Sequence, residues 1–397
     1  MRRLILAVAL SAALASAATA QPSDELRQRL ERYEALYQQT RNASVLWLLA
    51  EGYAQAGDKA KSLDALKRVA DLRMGFMPVE DSAVQKFAGD PDYDALVRRM
   101  AAEQTPVRRG KVAVTLKTSG LVPEGLAYDP AGRRLFIGDG PSRGILSIDA
   151  AGAERVFAGP LEAPPLGMTV DARNRRLWVA STNAFWEAPQ KRSALIAFDL
   201  TTGKPARTVS SPEAQSFNDV ALAPNGDLWA TDSLGGQVFR LKAGADVLER
   251  VTAQGAMAYP NGIAVSDDGR HVFVAQGASL RRVDAATGEV LTLPQPDNLT
   301  TLGIDGMYWS GGALIAVQNG GTAGRVLRLE LSPARDAIAG FEVLEAGNPH
   351  FEIPTTGAPA GNRLFVLANA QLMRMKPDGG VDRARLKPIV VLEVPLA

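Results

Sequence analysis

A short motif recurs six times between Glu124 and Asn369, and this repeat limits the chain to few folds. Each copy consists of a β-branched or aromatic run, a tight-turn signal such as Asp129-Pro130-Ala131-Gly132, and a second run, which is typical of a β-hairpin. The copies are spaced by 42, 52, 43, 44 and about 50 residues, the period of four-stranded propeller blades. The sequence therefore predicts an all-β, six-bladed β-propeller over residues 112–397. The copies begin at Glu124, Leu166, Asn218, Asn261, Asp305 and, more loosely, near Thr355.

The stretch before the repeats has a different pattern. In residues 21–105, Leu, Tyr and Ala recur at helical spacing, which predicts a small α-helical domain. Leu49, Ala50, Tyr53 and Ser62 match part of one tetratricopeptide repeat, whereas a free-standing array needs at least three repeats. The tetratricopeptide-like domain is thus either a spacer or oligomerisation element or a surface that docks a protein partner. Residues 106–111 are predicted to be a linker, and residues 112–118 to complete the last blade.

Residues 1–20 have the order of a secretory signal peptide: a basic start, an apolar stretch and small residues before the cleavage point. We expect them to be removed, and the mature protein to be exported to the periplasm or secreted. The chain has no cysteine, which excludes disulfides and thiolate sites. The formal net charge of +1, without a basic run, argues against nucleic acid as a partner. No later segment has the roughly 20 apolar residues of a membrane span. With nucleic acid and membranes disfavoured, we expect the partner to be a small molecule or a protein.

The first residues of the repeats are candidates for a site. In a propeller, the innermost strands of all blades reach the same mouth of the channel, so these lead residues should form a ring. Two carboxylates and two amide oxygens in that ring suit a hard cation such as Ca²⁺. Each could instead begin a strand through local hydrogen bonds, but converging acids without a counter-ion are costly. We expect one divalent cation, Ca²⁺ before Zn²⁺, at Glu124, Asn218, Asn261 and Asp305. Because no ring residue precedes Glu124, we expect the ring to form without the helical domain.

The motifs around these residues resemble those of a known family of six-bladed propellers, the senescence marker protein, gluconolactonase and regucalcin family. They are more distantly similar to paraoxonases and strictosidine synthase-like proteins. The resemblance implies a divalent metal held by Glu124, Asn261 and Asp305, with Asn218 in contact with metal or substrate. Members that act on sugar lactones tend to carry an arginine two residues before the asparagine of the third blade, where this chain has Ser216. The motifs are Pro123-Glu124-Gly125, Phe217-Asn218-Asp219, Pro260-Asn261-Gly262 and Ile304-Asp305-Gly306.

Other residues should lie near the same mouth. Because the first two strands of a blade are antiparallel, the second strand ends where the first begins. Residues there either contact substrate or stabilise the blade corner: Asp139, Asp232, Gln276, Asn319 and Asn369. Aromatic residues in long loops near a polar opening favour a lid or pocket wall, although they could also pack under their own loops. Beside Asn218, the candidate substrate contacts are Asp232, Asn319, Phe185, Trp186 and His350.

The resemblance implies a metal-dependent hydrolase of a lactone or related ester. In that hypothesis the cation polarises the carbonyl, Asp305 helps to move the proton, and Asn218 orients the substrate and stabilises the oxyanion. One alternative is a non-catalytic propeller that binds a ligand or a protein and holds a structural metal. Another is a strictosidine synthase-like enzyme, although its catalytic glutamate has no identifiable counterpart here.

Overall fold

The structure is a computed structural model that describes residues 23–80 and 82–397, so the predicted signal peptide lies outside it. Within the described chain, the predicted helical domain is confirmed as helical, while its tetratricopeptide-like character stays a prediction. Each α-helix begins after a polar residue, Ser23, Asn42, Asp58 or Asp90, whose side chain accepts a backbone N–H of the first turn. The helices are α1 (Asp24–Thr40), α2 (Ala43–Gln55), α3 (Lys59–Leu72) and α4 (Pro91–Ala102), with a 3-10 helix at Ala83–Phe87.

The predicted six-bladed propeller is confirmed. Six antiparallel sheets follow one another along the chain, and their innermost strands contact each other in a closed cycle. Two short 3-10 helices, Leu372–Arg374 and Arg383–Arg385, interrupt the last sheet. The strands are β1 (Val107–Arg108), β2 (Lys111–Thr115), β3 (Pro123–Asp129), β4 (Arg134–Asp139), β5 (Gly144–Ile148), β6 (Glu154–Ala158), β7 (Pro165–Asp171), β8 (Arg176–Thr182), β9 (Ser193–Asp199), β10 (Pro205–Val209), β11 (Phe217–Leu222), β12 (Leu228–Asp232), β13 (Gln237–Leu241), β14 (Glu249–Arg250), β15 (Pro260–Val265), β16 (His271–Gln276), β17 (Ser279–Asp284), β18 (Val290–Thr292), β19 (Ile304–Ser310), β20 (Ala313–Gln318), β21 (Arg325–Leu331), β22 (Ile338–Ala346), β23 (Gly357–Pro359), β24 (Arg363–Leu367) and β25 (Val390–Pro395).

The two ends of the propeller chain meet in blade 6. This sheet has the order β2-β25-β24-β23, so the first full strand of the propeller is the outermost strand of its last blade. The predicted completion of the last blade from the N-terminal side is thus observed, and it joins the two ends of the propeller in one sheet. The short strand β1 adds a fifth strand to blade 5 by pairing with β22. The segment predicted as a linker, 106–111, therefore takes part in two sheets.

The apolar core lies between the blades. Each pair of neighbouring sheets encloses its own cluster of buried aliphatic and aromatic side chains, so that six clusters follow one another around the ring. Because sheet faces must bury their apolar sides against another layer, this arrangement holds each inner strand at a fixed place on the channel. A seventh cluster joins the helices to Leu302 of the propeller. Among the described helices, none is long and apolar enough to cross a membrane.

Candidate functional site

The lead residues leave the regular strand ladder at the same point of successive inner strands. In β3, β7, β11, β15 and β19 the pairing with the next strand shifts register across the two residues after the first one. A β-bulge re-aims the side chains it contains. The repeated irregularity therefore sets the lead residues of five blades at one level of the channel: Glu124, Leu166, Asn218, Asn261 and Asp305.

Glycine follows the lead residue because the neighbouring inner strand passes very close. A Cβ atom on Gly125 would lie 2.0 Å from the carbonyl oxygen of Leu166, and one on Gly262 would lie 2.2 Å from that of Asp305. Such contacts are not tolerated, so these glycines permit the approach of the strands. Blade 3 differs, because Asp219 stands at this position and its carboxylate points inward beside Gly167.

Asp305 is held by two amide side chains. Its Oδ1 accepts a hydrogen bond of 2.7 Å from Asn261 Nδ2, and its Oδ2 accepts one of 2.7 Å from Asn319 Nδ2. Asn319 also donates to the carbonyl oxygen of Pro354 at 3.0 Å. Two predicted ligands and one predicted substrate contact are thus in direct contact, and the orientation of the Asp305 carboxylate is fixed from both sides.

Asp219 is a site residue that the sequence reasoning did not select. Its carboxylate is buried and accepts backbone N–H bonds from Val220 at 2.8 Å and from Ile263 at 3.2 Å. It therefore links the inner strands of blades 3 and 4 below the ring. The available signal was the break in the pattern, because the other lead residues of blades 1, 2, 4 and 5 are followed by glycine.

Three acids share one poorly solvated region. Burial raises the pKa of Glu124 well above its usual range, and the charges of Asp305 and Asp219 add to the rise. Burial raises the pKa of Asp219 to about 7 and that of Asp305 to about 6, although hydrogen bonds to both carboxylates oppose the shift. Glu124 Oε2 is buried without a hydrogen-bond partner among the described residues. An uncompensated acid at this position needs either a proton or a cation.

These residues fit an oxygen-rich cation site that includes amide ligands. Within residues 23–80 and 82–397, no group of three or more His, Cys, Asp or Glu side chains is arranged to hold a metal by itself. The donor set would therefore combine the orphaned Glu124 Oε2 and the Asp305 carboxylate with the amide oxygens of Asn218 and Asn261. Such a set suits Ca²⁺, which takes carboxylate and Asn carbonyl oxygens.

The amide of Asn218 has a defined orientation. Its Nδ2 donates to Ser233 Oγ at 2.8 Å, and that hydroxyl donates in turn to the carbonyl oxygen of Pro260 at 2.6 Å. Because the Ser233 hydroxyl donates its only hydrogen to Pro260 O, its oxygen must be the acceptor for Asn218 Nδ2. Among the described residues, Asn218 Oδ1 and the second hydrogen of its Nδ2 have no hydrogen-bond partner, so both can contact a ligand.

At the ends of most second strands, the polar side chain has the blade-corner contacts that the sequence leaves open as one of two roles. Asp232 is fully buried and accepts the backbone N–H groups of Gln215, Ser216 and Gly235 together with the side chain of Gln237. Asp139, Gln276 and Asn369 bind backbone N–H groups in the same way. These side chains stabilise blade corners. The residue one position further on reaches the site instead, as Ser233 and Asn319 do.

The aromatic residues of the blade 2 loop lie at the mouth. Phe185 packs on Trp186 and on Tyr259, each with ring centroids 6.0 Å apart. Tyr259 has a φ of 56°, a backbone conformation that non-glycine residues rarely adopt. Burial raises the pKa of its phenol, with a further contribution from Asp305 and Glu124, which places this ring beside the acids. By contrast, His350 is exposed, and its side chain makes no hydrogen bond to the described part of the chain.

Blade 6 continues the ring with Thr355, the residue near which the sixth copy begins. Its carbonyl oxygen lies next to Gly306, as that of Asp305 lies next to Gly262, and it accepts from Gly306 N. Thr356 takes the place of the following glycine, and its Oγ1 donates to Glu124 O at 2.5 Å. Ser216, which stands where sugar-lactone enzymes tend to have arginine, is buried, and its Oγ accepts the backbone N–H of Leu234 at 2.8 Å. Its hydroxyl therefore belongs to the blade corner.

The channel continues below the ring as a cavity of about 560 Å³. The residues that follow the bulges line this cavity. Tyr308 lies between the cavity and the acids, because the charges of Asp219, Asp305 and Glu124 contribute to the raised pKa of its phenol. The cavity opens at the hairpin turns of the opposite face. Its wall is mainly apolar: Leu126, Met168, Val220, Ile263 and Met307.

Fold and site together define a six-bladed propeller with a polar, acidic ring at one mouth of its channel. Residues 122–291 match the family described as SMP-30/Gluconolactonase/LRE-like region. Residues 122–291, which form the first four blades, are therefore similar to that family, in agreement with the resemblance of the ring motifs. No curated protein matches the chain in sequence.

Solved structures show the same fold. A gluconolactonase from Xanthomonas campestris matches with a TM-score of 0.52 and 19% identity, over 73% of this chain and 97% of that one. A candidate gluconolactonase matches with a TM-score of 0.51 and 18% identity, over 72% and 92%. A streptogramin B lyase matches with a TM-score of 0.50 and 15% identity, over 72% and 97%. Because proteins with different reactions share the fold, these likenesses establish architecture and leave activity to the site.

Proposed function

We propose that the protein is a cation-dependent hydrolase of a lactone or related ester, acting at the mouth that carries the ring. The observation behind this proposal is Glu124 Oε2, a buried carboxylate oxygen without a donor in the described chain, which faces the charges of Asp219 and Asp305. A bound divalent cation would compensate these charges. The family of residues 122–291 supports lactonase-type chemistry in general.

Glu124, Asn261 and Asp305 would hold the cation, and Asn218 Oδ1 would complete the set or contact the substrate. When bound, the cation supplies Lewis-acid polarisation of an ester carbonyl. Asn261 and Asn319 keep the Asp305 carboxylate in one orientation, so that Asp305 can accept a proton at a defined place. Asn218, fixed by Ser233, has one Nδ2 hydrogen left for the developing oxyanion.

The surroundings favour a lactone with an apolar substituent over a sugar lactone. Ser216 offers no cationic donor to the hydroxyl and ring oxygens of a sugar lactone, and its hydroxyl is engaged in the blade corner. Phe185 and Tyr259 supply an aromatic wall beside the acids instead. Pockets that select apolar ligands combine such walls with few polar groups.

The test is a hydrolysis assay on protein freed of metal and then supplied with Ca²⁺, Zn²⁺, Mn²⁺ or Mg²⁺. Substrates are lactones with alkyl or aryl substituents, sugar lactones and simple aryl esters. Glu124→Gln is the matched variant, because it keeps the size of the side chain and removes its charge. We expect wild-type turnover of apolar lactones that depends on the cation, and a loss of at least about 100-fold in Glu124→Gln. Full activity without added cation, or in Glu124→Gln, would reject the proposal.

A further inference from the structure

We infer that the helical segment before the propeller, residues 24–102, is a positioning element of the site: it clamps the two chain segments that flank the Asp305–Asn319 hydrogen bond. The inference rests on the proposed function, because Asp305 is there both ligand and proton acceptor. It differs from the expectation that the ring forms without the helices.

The first flanking segment, residues 300–302, leads into Asp305 and is buried against α2. Ser44 Oγ of α2 and Thr300 Oγ1 form a buried hydrogen bond of 2.9 Å. Leu302 is 2% exposed and belongs to the apolar core of the helices, together with Leu46 and Trp47. A propeller side chain thus completes the helical core three residues before Asp305.

The second flanking segment, residues 319–322, begins with Asn319 itself. Met77 N donates to Gly321 O at 2.7 Å, and Phe76 forms an antiparallel β-bridge with Thr322. Trp47 stacks on Phe76 with centroids 5.4 Å apart. Its indole also covers Gly321, where a Cβ atom would lie 3.0 Å from Trp47 Nε1. The helices therefore contact this segment through backbone and ring together.

The two flanking segments also contact each other. Asn319 N donates to Gly303 O at 2.9 Å. A Cβ atom on Gly303 would lie 2.2 Å from Gly320 Cα, so the two backbones touch. From this point Asn319 Nδ2 reaches Asp305 Oδ2 at 2.7 Å. A shift of either segment would change the orientation of the Asp305 carboxylate.

A buried arginine fastens the same place. Arg325 is 9% exposed and donates to Gln318 Oε1 at 2.5 Å, to Thr300 O at 3.4 Å and to Met74 O at 3.2 Å. Met74 follows the C-terminal end of α3, where a cation is favoured. Burial lowers the pKa of Arg325 to about 10, and its partners are carbonyl oxygens rather than carboxylates. Because an unpaired buried charge is costly, loss of Met74 O would destabilise this contact between helices and propeller.

The test compares two serines of the helical segment that undergo the same chemical change. Ser44→Ala removes the hydroxyl that bonds Thr300, whereas Ser62→Ala removes a buried hydroxyl that donates to Ala50 O at 2.8 Å inside the segment. Hydrogen exchange of residues 300–303 and 319–324 is followed in the full chain, and Ca²⁺ binding is measured by calorimetry. We expect Ser44→Ala to speed exchange in both segments about fivefold and to weaken Ca²⁺ binding by a similar factor, as loss of one hydrogen bond implies. We expect Ser62→Ala to do neither.

A second variant removes a larger contact, so that the test does not depend on the single hydroxyl of Ser44. Trp47→Ala should speed exchange in residues 319–324 by more than tenfold, and Trp47→Phe, which keeps an aromatic ring on Phe76, should recover most of the protection. If Trp47→Ala leaves exchange in both flanking segments unchanged, the inference is overturned. This holds whether the helices of the variant are folded or unfolded. If the wild type binds no Ca²⁺ but exchange responds as expected, the proposed function fails while the clamp stands.

Discussion

The three buried acids should make the cation-free protein less stable as pH rises, and this is the prediction that the structure defines best. Glu124, Asp219 and Asp305 each have a raised pKa in the folded state. Between pH 4 and pH 7 the folded chain keeps protons that the unfolded chain has lost. Stability falls wherever the folded state binds more protons. The loss begins near the unfolded pKa and is complete above the folded one.

The magnitude can be worked out for Asp219. Its pKa rises from 3.8 to about 7, and one unit corresponds to about 1.4 kcal/mol. The free energy of unfolding should therefore fall by about 4 kcal/mol from pH 4 to pH 8, a large part of the 5–15 kcal/mol typical of a domain. Asp219→Asn removes this dependence but loses one of two backbone hydrogen bonds, at about 1 kcal/mol. We expect the variant to be about 3 kcal/mol more stable than the wild type at pH 8 without cation.

Urea unfolding at one temperature is the assay, at pH 5 and pH 8, with metal-free protein and again with Ca²⁺. Between these two pH values Asp219 should lower the wild-type free energy of unfolding by about 3 kcal/mol of the total. Glu80 and Asp268, with pKa values lowered to about 2 by ionic and hydrogen-bond partners, contribute no change in this window. His271 does, with the opposite sign, because burial lowers its pKa. Because His271 is present in both proteins, its contribution cancels in the difference between the wild type and Asp219→Asn. Equal slopes for the two proteins, or a wild type that gains stability toward pH 8, would refute the reasoning. Ca²⁺ at a hundredfold excess over its Kd should restore about 2.7 kcal/mol at pH 8.

Three further predictions concern single side chains. Asn319→Ala should weaken Ca²⁺ binding by about tenfold, because Asp305 loses a charge-assisted hydrogen bond; Asn369→Ala, which frees only corner groups, should bind Ca²⁺ normally in the same calorimetric titration. Asp232→Ala should lower the free energy of unfolding by about 3 kcal/mol, since several buried N–H groups lose their acceptor; if instead it loses Ca²⁺ affinity at unchanged stability, it belongs to the site. Phe185→Ala should raise KM for an apolar lactone by about tenfold and leave KM for a small unsubstituted lactone unchanged; an equal effect on both substrates would argue against an aromatic wall.

The blades could be predicted because propeller repeats carry their own signals. Turn residues, alternation and spacing recur in every copy, so each blade supports the assignment of the others. The ring followed from the same periodicity. The role of the second-strand ends stayed open in the sequence because period-two alternation decides it: Asp232 turns into the blade corner, while Ser233 reaches Asn218.

Other features had little or no sequence signal. Asp219 breaks the pattern of glycines that follow the lead residues, but its inward direction depends on the close passage of Gly167. Tyr259 reaches the acids from a left-handed backbone that the sequence does not reveal. The contact of the helices with residues 300–322 uses carbonyl oxygens of Gly321 and Met74, which any sequence could provide. Such backbone contacts depend on tertiary packing rather than on residue type.

The most direct test of the account is a calorimetric Ca²⁺ titration of the wild type, Asp305→Ala and His350→Ala. The account predicts one Ca²⁺ bound per wild-type chain, binding lost in Asp305→Ala because one of the carboxylate ligands is removed, and normal binding in His350→Ala, whose side chain is exposed. Lactone hydrolysis should follow Ca²⁺ occupancy in all three proteins. Full occupancy and rate in Asp305→Ala, together with an inactive His350→Ala, would contradict the cation site and indicate a histidine-based esterase.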